Sequence, residues 1–167
     1  LCIIMKDERY NVFALSSEGV GLVRSLTYSY DWDLLPDGQY ELTWNLTSKE
    51  RIMTTAQLGT IDVAMIEFKG LNAYTNQVGG AVWSAGNVSS QVIGLLQLNA
   101  PYHYTTAAGD KFAAVQIQDN KSNPPIRVRS KPQGAFTINI LKTDGTLADE
   151  TVVSEYVLSM CFRRLDC

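Results

Sequence analysis

The chain contains one histidine, His103. A zinc site, a Ser-His-Asp triad or a Cys-His dyad would have to be built on that residue alone. His103 lies in Pro101-Tyr102-His103-Tyr104, a loop-like aromatic stretch, and reads as a ring packed between two tyrosines. The cysteines Cys2, Cys161 and Cys167 sit at the two ends of the chain, and no pair has C-x-x-C spacing. Zinc and thioredoxin-type chemistry are therefore unsupported, and the thiols are expected to stay reduced and unpaired. Asp31, Asp33 and Asp37 bracket Trp32 and the turn at Pro36. Oxygen-rich loops can hold calcium, but EF-hand spacing is missing, and aspartates beside turns usually cap backbone N–H groups. Asp62 and Glu67 would face opposite sides of one strand, which is wrong for paired-carboxylate glycoside hydrolysis. Gly19-Val20-Gly21 lacks the third glycine and the following helix of a phosphate loop, and reads as a hairpin turn. No catalytic, cofactor-binding or metal-binding residue is nominated, and the chain reads as a non-enzyme.

The sharper signals are for contact. Ile126-Arg127-Val128-Arg129-Ser130-Lys131, if extended, sends Arg127, Arg129 and Lys131 to one face as a basic stripe. Such a stripe suits an anionic partner, or it guards a solvated edge strand against aggregation. Eight tyrosines and three tryptophans are a generous supply of interface anchors. Tyr28, Tyr30, Trp32, Tyr74, Trp83, Tyr102 and Tyr104 mostly fall in expected loops or strand ends. Half of them are expected to fold back on the core. The interface candidates are Arg127, Arg129, Lys131, Tyr102, Tyr104, Trp83 and Trp32. Three N-x-S/T sequons, at Asn45, Asn87 and Asn120, would matter only in the secretory pathway.

The elements that must position these residues follow a period of two. Tyr40, Leu42, Trp44 and Leu46 alternate with polar residues over 39–47. Phe136, Ile138 and Ile140 do so over 135–142, and Tyr156, Leu158, Met160 and Phe162 over 155–163. Trp44, Leu42, Phe136, Ile138, Leu158 and Met160 are expected in the core, with Cys161 on the opposite face. Further strands are expected at 61–68, 91–98, 112–118, 10–15, 22–28 and 126–129, with a short turn of helix in 49–57. Pro36-Asp37-Gly38, Gly79-Gly80, Gly109-Asp110, Asn123-Pro124-Pro125 and Asp144-Gly145 punctuate the runs. Nothing alternates strand with helix, so the expected fold is all-β, a sandwich or barrel.

The 167 residues suit one domain, 1–167, with 1–9 and 164–167 as possible arms. A hydrophobic share of 46% with 19% charged residues excludes wholesale disorder. Fourteen basic and 17 acidic side chains leave a net charge of −3, which argues against non-specific nucleic-acid binding. No apolar run approaches the roughly 20 residues that span a bilayer. The opening Leu1–Met5 is too short for a secretory core, and because it does not begin with Met, upstream residues are expected.

Asp31-Trp32-Asp33-Leu34-Leu35-Pro36-Asp37-Gly38-Gln39-Tyr40-Glu41-Leu42-Thr43-Trp44 resembles an opening motif of small jelly-roll proteins from large DNA viruses of algae and protists. Val92–Leu96 resembles their central strand. Asn123–Ile126, Phe136–Leu141 with Asp144–Thr146, and Glu155–Leu158 before Phe162 resemble their closing strands. The resemblance covers roughly residues 25–165 and is to single jelly-roll minor capsid or penton-type proteins, also found in virophages. It implies a single jelly-roll β-sandwich of roughly eight antiparallel strands in two sheets. It further implies a structural virion protein, assembled inside the host cell, whose partners are its own copies and other capsid proteins. No cofactor and no small-molecule substrate are implied. The alternative is a carbohydrate- or receptor-binding module, lectin-like or a C1q/TNF-like head, with Trp32, Trp83 and Tyr104 stacking on sugar rings.

Overall fold

A computed structural model describes residues 8–54, 63–71, 92–106, 111–119, 121–149 and 153–165. Eleven strands are present among them: β1 (Arg9–Leu15), β2 (Val20–Leu22), β3 (Ser25–Tyr28), β4 (Tyr40–Ser48), β5 (Arg51–Thr54), β6 (Val63–Lys69), β7 (Val92–Thr105), β8 (Lys111–Asp119), β9 (Ile126–Val128), β10 (Phe136–Lys142) and β11 (Tyr156–Arg164). A single turn of 3₁₀ helix, Trp32–Leu34, follows β3. All pairing is antiparallel, in the order β1-β11-β4-β8-β7-β6-β10-β3-β2, with β9 on β4 and β5 on β8. The all-β expectation therefore holds, with short strands raising the number above eight.

Four differences from the sequence reading have local causes. Residues 22–28 are not one strand: β2 folds back on β3, pairing Leu22 with Ser25. Gly21 is required there, because its φ is +130° and a Cβ would lie 2.5 Å from the Ser25 carbonyl oxygen. Arg51–Thr54 is strand rather than helix, because it pairs with Phe112–Val115 of β8. The Pro101–Tyr104 stretch is not a loop either. Its backbone runs on as β7, and a register shift between Asn99 and Tyr102 accommodates the proline. Trp44 is half-buried, not a core residue; its indole N–H donates to the Ile93 carbonyl at 3.1 Å and its ring lies over Gly94.

The sheet has two halves joined by little backbone. The first is β1-β11-β4 with β9, and the second is β8-β7-β6-β10-β3-β2. Between them β4 and β8 share the pair Thr47 and Gln118. Side chains complete the seam: the Ile117 N–H donates to Ser48 Oγ at 2.8 Å, and the Leu46 N–H to Asp119 Oδ1 at 3.3 Å. Beyond the end of β8, Asn123 takes over its role. Its amide accepts from the Leu95 N–H at 2.9 Å and donates to the Leu95 carbonyl at 2.8 Å.

Alternation delivers one continuous core. Val12, Ala14, Leu42, Leu46, Leu158, Met160 and Phe162 from the first half, and Leu26, Ile66, Phe68, Leu96, Phe136, Ile138 and Ile140 from the second, are all buried in one cluster. Tyr28 and Tyr156, one from each half, interact inside it, and burial raises both phenols above their usual pKa. The opposite face of the second half carries a polar row. Ser25 Oγ donates to Asn139 Oδ1 at 2.7 Å, and Asn139 Nδ2 donates to Glu67 Oε2 at 2.5 Å. Lys69 stands 3.9 Å from that carboxylate, which is itself buried.

Trp32 closes one end of the core. Asp31 caps the 3₁₀ turn by accepting from the Asp33 N–H at 3.0 Å. That turn aims the indole inward, where it is 3% exposed. Its ring centroid lies 5.7 Å from Phe162 of the first half and 5.4 Å from Phe136 of the second. Its N–H donates to the Gly134 carbonyl at 2.9 Å. Trp32→Ala is expected to cost about 3–5 kcal/mol in chemical denaturation, the range for a large aromatic removed from a core. A loss below about 1 kcal/mol would mean that the two halves hold together without it.

Candidate functional site

Trp32 is corrected from an exposed anchor to a core residue, because both halves pack on its ring and its N–H is satisfied internally. Tyr28 is likewise buried, stacked on Phe136 at 5.1 Å between centroids. Tyr30 is half-buried, with its ring 4.6 Å from that of Trp32. Tyr102 and Tyr104 have their backbone in β7, and their side chains lie outside the described residues, as do Tyr74 and Trp83 altogether.

The basic stripe is shorter than the sequence suggests. β9 spans only Ile126–Val128, and it lies against β4 with Arg127 opposite Glu41. Ile126 and Val128 point into the core, which turns Arg127 outward. Arg129 is also exposed, but Lys131 leaves the line. Its ammonium lies 3.1 Å from Asp33 and 3.2 Å from Asp37, and donates to the Leu35 carbonyl at 3.2 Å. The Lys131 side chain is 15% exposed and ties the 129–135 segment to the Trp32 loop. The Asp33 hydrogen bond raises its pKa above the usual 10.5, Asp37 adds to this, and partial desolvation opposes it. The acidic loop thus uses Asp31 as a cap and Asp33 and Asp37 as counterions.

Strand register gathers a different basic group. Arg9 of β1 stands opposite Arg163 of β11, which stands opposite Glu41 of β4, which stands opposite Arg127 of β9. These four side chains form one row on the outward face of the first half. Arg163 Nη2 binds Glu41 Oε1 at 2.8 Å, and Arg127 Nη2 donates to Gln39 Oε1 at 2.8 Å. Two residues along, Asn11, Cys161 and Thr43 make the next row. Arg9, Glu41, Thr43, Cys161 and Arg163 line a hollow of about 130 Å3. Cys161 is a free thiol, and it lies on the outward face as its position in the alternation requires.

The far end of the same face is apolar. Phe13 is opposite Ser159, and Leu15 is opposite Val157, which is opposite Thr47. Phe13 is 61% exposed, Leu15 40% and Val157 44%. A second hollow, of about 300 Å3, opens beside them between Leu15–Ser17, Thr47–Lys49 and Glu155–Val157. Lys49 and Glu155 stand 3.9 Å apart at its rim, both well exposed. Among the described residues of this face, no nucleophile stands beside a base. The face is charged at one end and apolar at the other; in protein contacts generally, apolar area supplies affinity and charge supplies orientation.

Arg9 and Arg163 were missed because they are 154 residues apart in sequence, at positions with no local pattern. The signal was available in outline. Both begin or end an amphipathic run on its polar face, and pairing the first and last strands brings them together. No protein-family model and no curated protein sequence matches the chain.

Lys131→Met removes the tie to Asp33 and Asp37 and is expected to lower the melting temperature by a few degrees at neutral pH. Because the Lys131 pKa is raised on folding, this contribution is fully present below the usual 10.5 and disappears as pH rises through the raised value. Melting curves of both proteins from pH 7 upward check this. A gap that closed below the lysine range would assign the effect to another group.

Proposed function

We propose that the chain is a structural subunit, a single jelly roll of the minor-capsid or penton kind, which assembles with its own copies and with neighbouring capsid proteins in a virion. The observation that carries this reading is the outward face of β1-β11-β4-β9. It presents an exposed apolar end and an arginine row on one surface. Such a face suits docking of a partner of matching shape.

Strand order supports the fold part of the reading. Setting aside β2, β5 and β8, the pairing separates into β1-β11-β4-β9 and β3-β10-β6-β7. The chain crosses from one set to the other at each step except between β6 and β7. Two such four-stranded sheets, wound as nested Greek keys around one core, are what a jelly roll is. Its closed body leaves outer faces and loop ends for neighbours, which suits ring-like assemblies. The resemblance over roughly residues 25–165 points the same way, towards a virion protein without an active site.

The second reading, a carbohydrate-binding module, has one observation in its favour. The hollow of about 300 Å3 is lined by Ser16, Ser17 and Thr47 above an apolar floor. It loses one of its expected stacking rings, since Trp32 is buried. A glycan array with the isolated domain separates the two readings, because a lectin binds there and a capsid subunit does not.

Sedimentation across a salt series, with the chain alone and with its virion neighbours, tests the subunit reading. The expected result is association that Arg127→Ser with Arg163→Ser weakens most at low salt, where charges are least screened. Thermal melting should stay close to that of the parent. A chain that remains monomeric in every mixture would overturn the proposal.

A further inference from the structure

The first half of the sheet ends at β1, and among the described residues no strand pairs with the other edge of β1. Which backbone groups point there follows from the ladder on the paired side. The Ser16 N–H donates to the Tyr156 carbonyl at 3.0 Å, and the Arg164 N–H donates to the Glu8 carbonyl at 3.0 Å. Hydrogen-bonded positions alternate along an antiparallel pair, so Tyr10, Val12 and Ala14 bond inward to β11. The N–H and C=O groups of Asn11 and Phe13, and the N–H of Leu15, are directed away from it. The Leu15 carbonyl is taken by the Glu18 N–H at 3.0 Å, in the turn that follows β1.

Among the described residues, β1 itself carries none of the usual sequence guards. Over seven residues β1 contains no proline and no register shift, and its one charge, Arg9, stands at its start. Natural sheets commonly blunt an open edge with a charge in mid-strand, a proline or a bulge, because unpaired backbone groups recruit another strand. Here the exposed Phe13 and Leu15 lie along the edge itself, with Val157 behind them. The segment also carries opposite charges at its two ends. Arg9 is exposed at one, and Glu18, exposed too, is held by the turn at the other. A second copy running antiparallel would therefore meet this strand with the charges reversed, Arg9 towards Glu18 at both ends.

We infer that β1 is the seam along which two copies of the chain join, antiparallel and about a two-fold axis at Val12. Asn11 of each copy faces Phe13 of the other and exchanges backbone hydrogen bonds with it. The sheet β9-β4-β11-β1 then runs on without a break into the second copy. A two-fold uses the same edge on both sides and leaves neither open, so the contact closes on itself instead of growing into a fibre. The inference rests on the reading of the chain as an assembling subunit, and it names the surface that joins the first two copies.

Amide hydrogen exchange over a concentration series, with the mass of the purified chain followed by sedimentation, tests the seam. The Val12 and Ala14 amides should be protected at every concentration, while those of Asn11, Phe13 and Leu15 become protected only as the dimer forms. Asn11→Pro removes one outward N–H and no bond to β11, so the monomer should fold while dimerisation weakens at least about tenfold. Arg9→Glu and Glu18→Arg should each weaken the dimer, and the two together should restore it. A dimer in which the Phe13 and Leu15 amides exchange freely would overturn the seam and leave the subunit reading standing on another surface. A charge swap that fails to restore the dimer would overturn the register about Val12. Absence of self-association at all concentrations would overturn the seam, and the subunit reading would then stand or fall on the mixtures with neighbouring proteins.

Discussion

Both halves of this sheet depend on the packing around Trp32. Few backbone bonds join the halves, so side chains must keep them together. Trp32 touches Phe162 on one side and Phe136 and Phe68 on the other. Its surroundings are arranged to hold it there. The Asp31 cap sets the turn, the Gly134 carbonyl accepts the indole N–H, and Lys131 bridges the two carboxylates on the same loop. A tryptophan with an unpaired N–H would be a costly wedge; one with a carbonyl partner keeps the large apolar area without that penalty.

Placing Trp32 inside also changes what the outside can do. One of the aromatics that the sequence offers as an interface anchor is instead part of the core. The outward face of the first half takes its character from register. Arg9, Arg163 and Arg127 reach one row because β1, β11, β4 and β9 align with Glu41 among them. Cross-strand neighbours on one face stand about 5 Å apart, so like charges repel; Glu41 separates Arg163 from Arg127 and binds Arg163, while Arg9 and Arg163 stand side by side.

Much of the fold was legible because a period of two needs only the local chain. Leu42, Phe136, Ile138, Leu158 and Met160 are buried as their alternation required, and Cys161 faces the other way. Trp44 shares the parity of Leu42 but sits where β4 parts from β9, so the core does not cover it fully. The Arg51–Thr54 strand was illegible because its reason lies in β8, some sixty residues away. The same limit applied to the outward face of the first half. Arg127 was found from its own neighbours. Lys131 was misread because Asp33 and Asp37 come from another loop, and Arg9 and Arg163 acquire meaning only when the first and last strands pair.

The buried row of Ser25, Asn139 and Glu67 bears on how the chain reaches this arrangement. Hydrophobic alternation specifies which face of β10 turns inward, but it is indifferent to a slip of two residues along β6. Such a slip in one direction would set Leu141 against Glu67 in place of Asn139 and strand a carboxylate out of water. Breaking a buried polar pairing in this way costs on the order of 3–5 kcal/mol. The polar row therefore penalises a misaligned pairing of β10 with β6 that apolar contacts alone would tolerate.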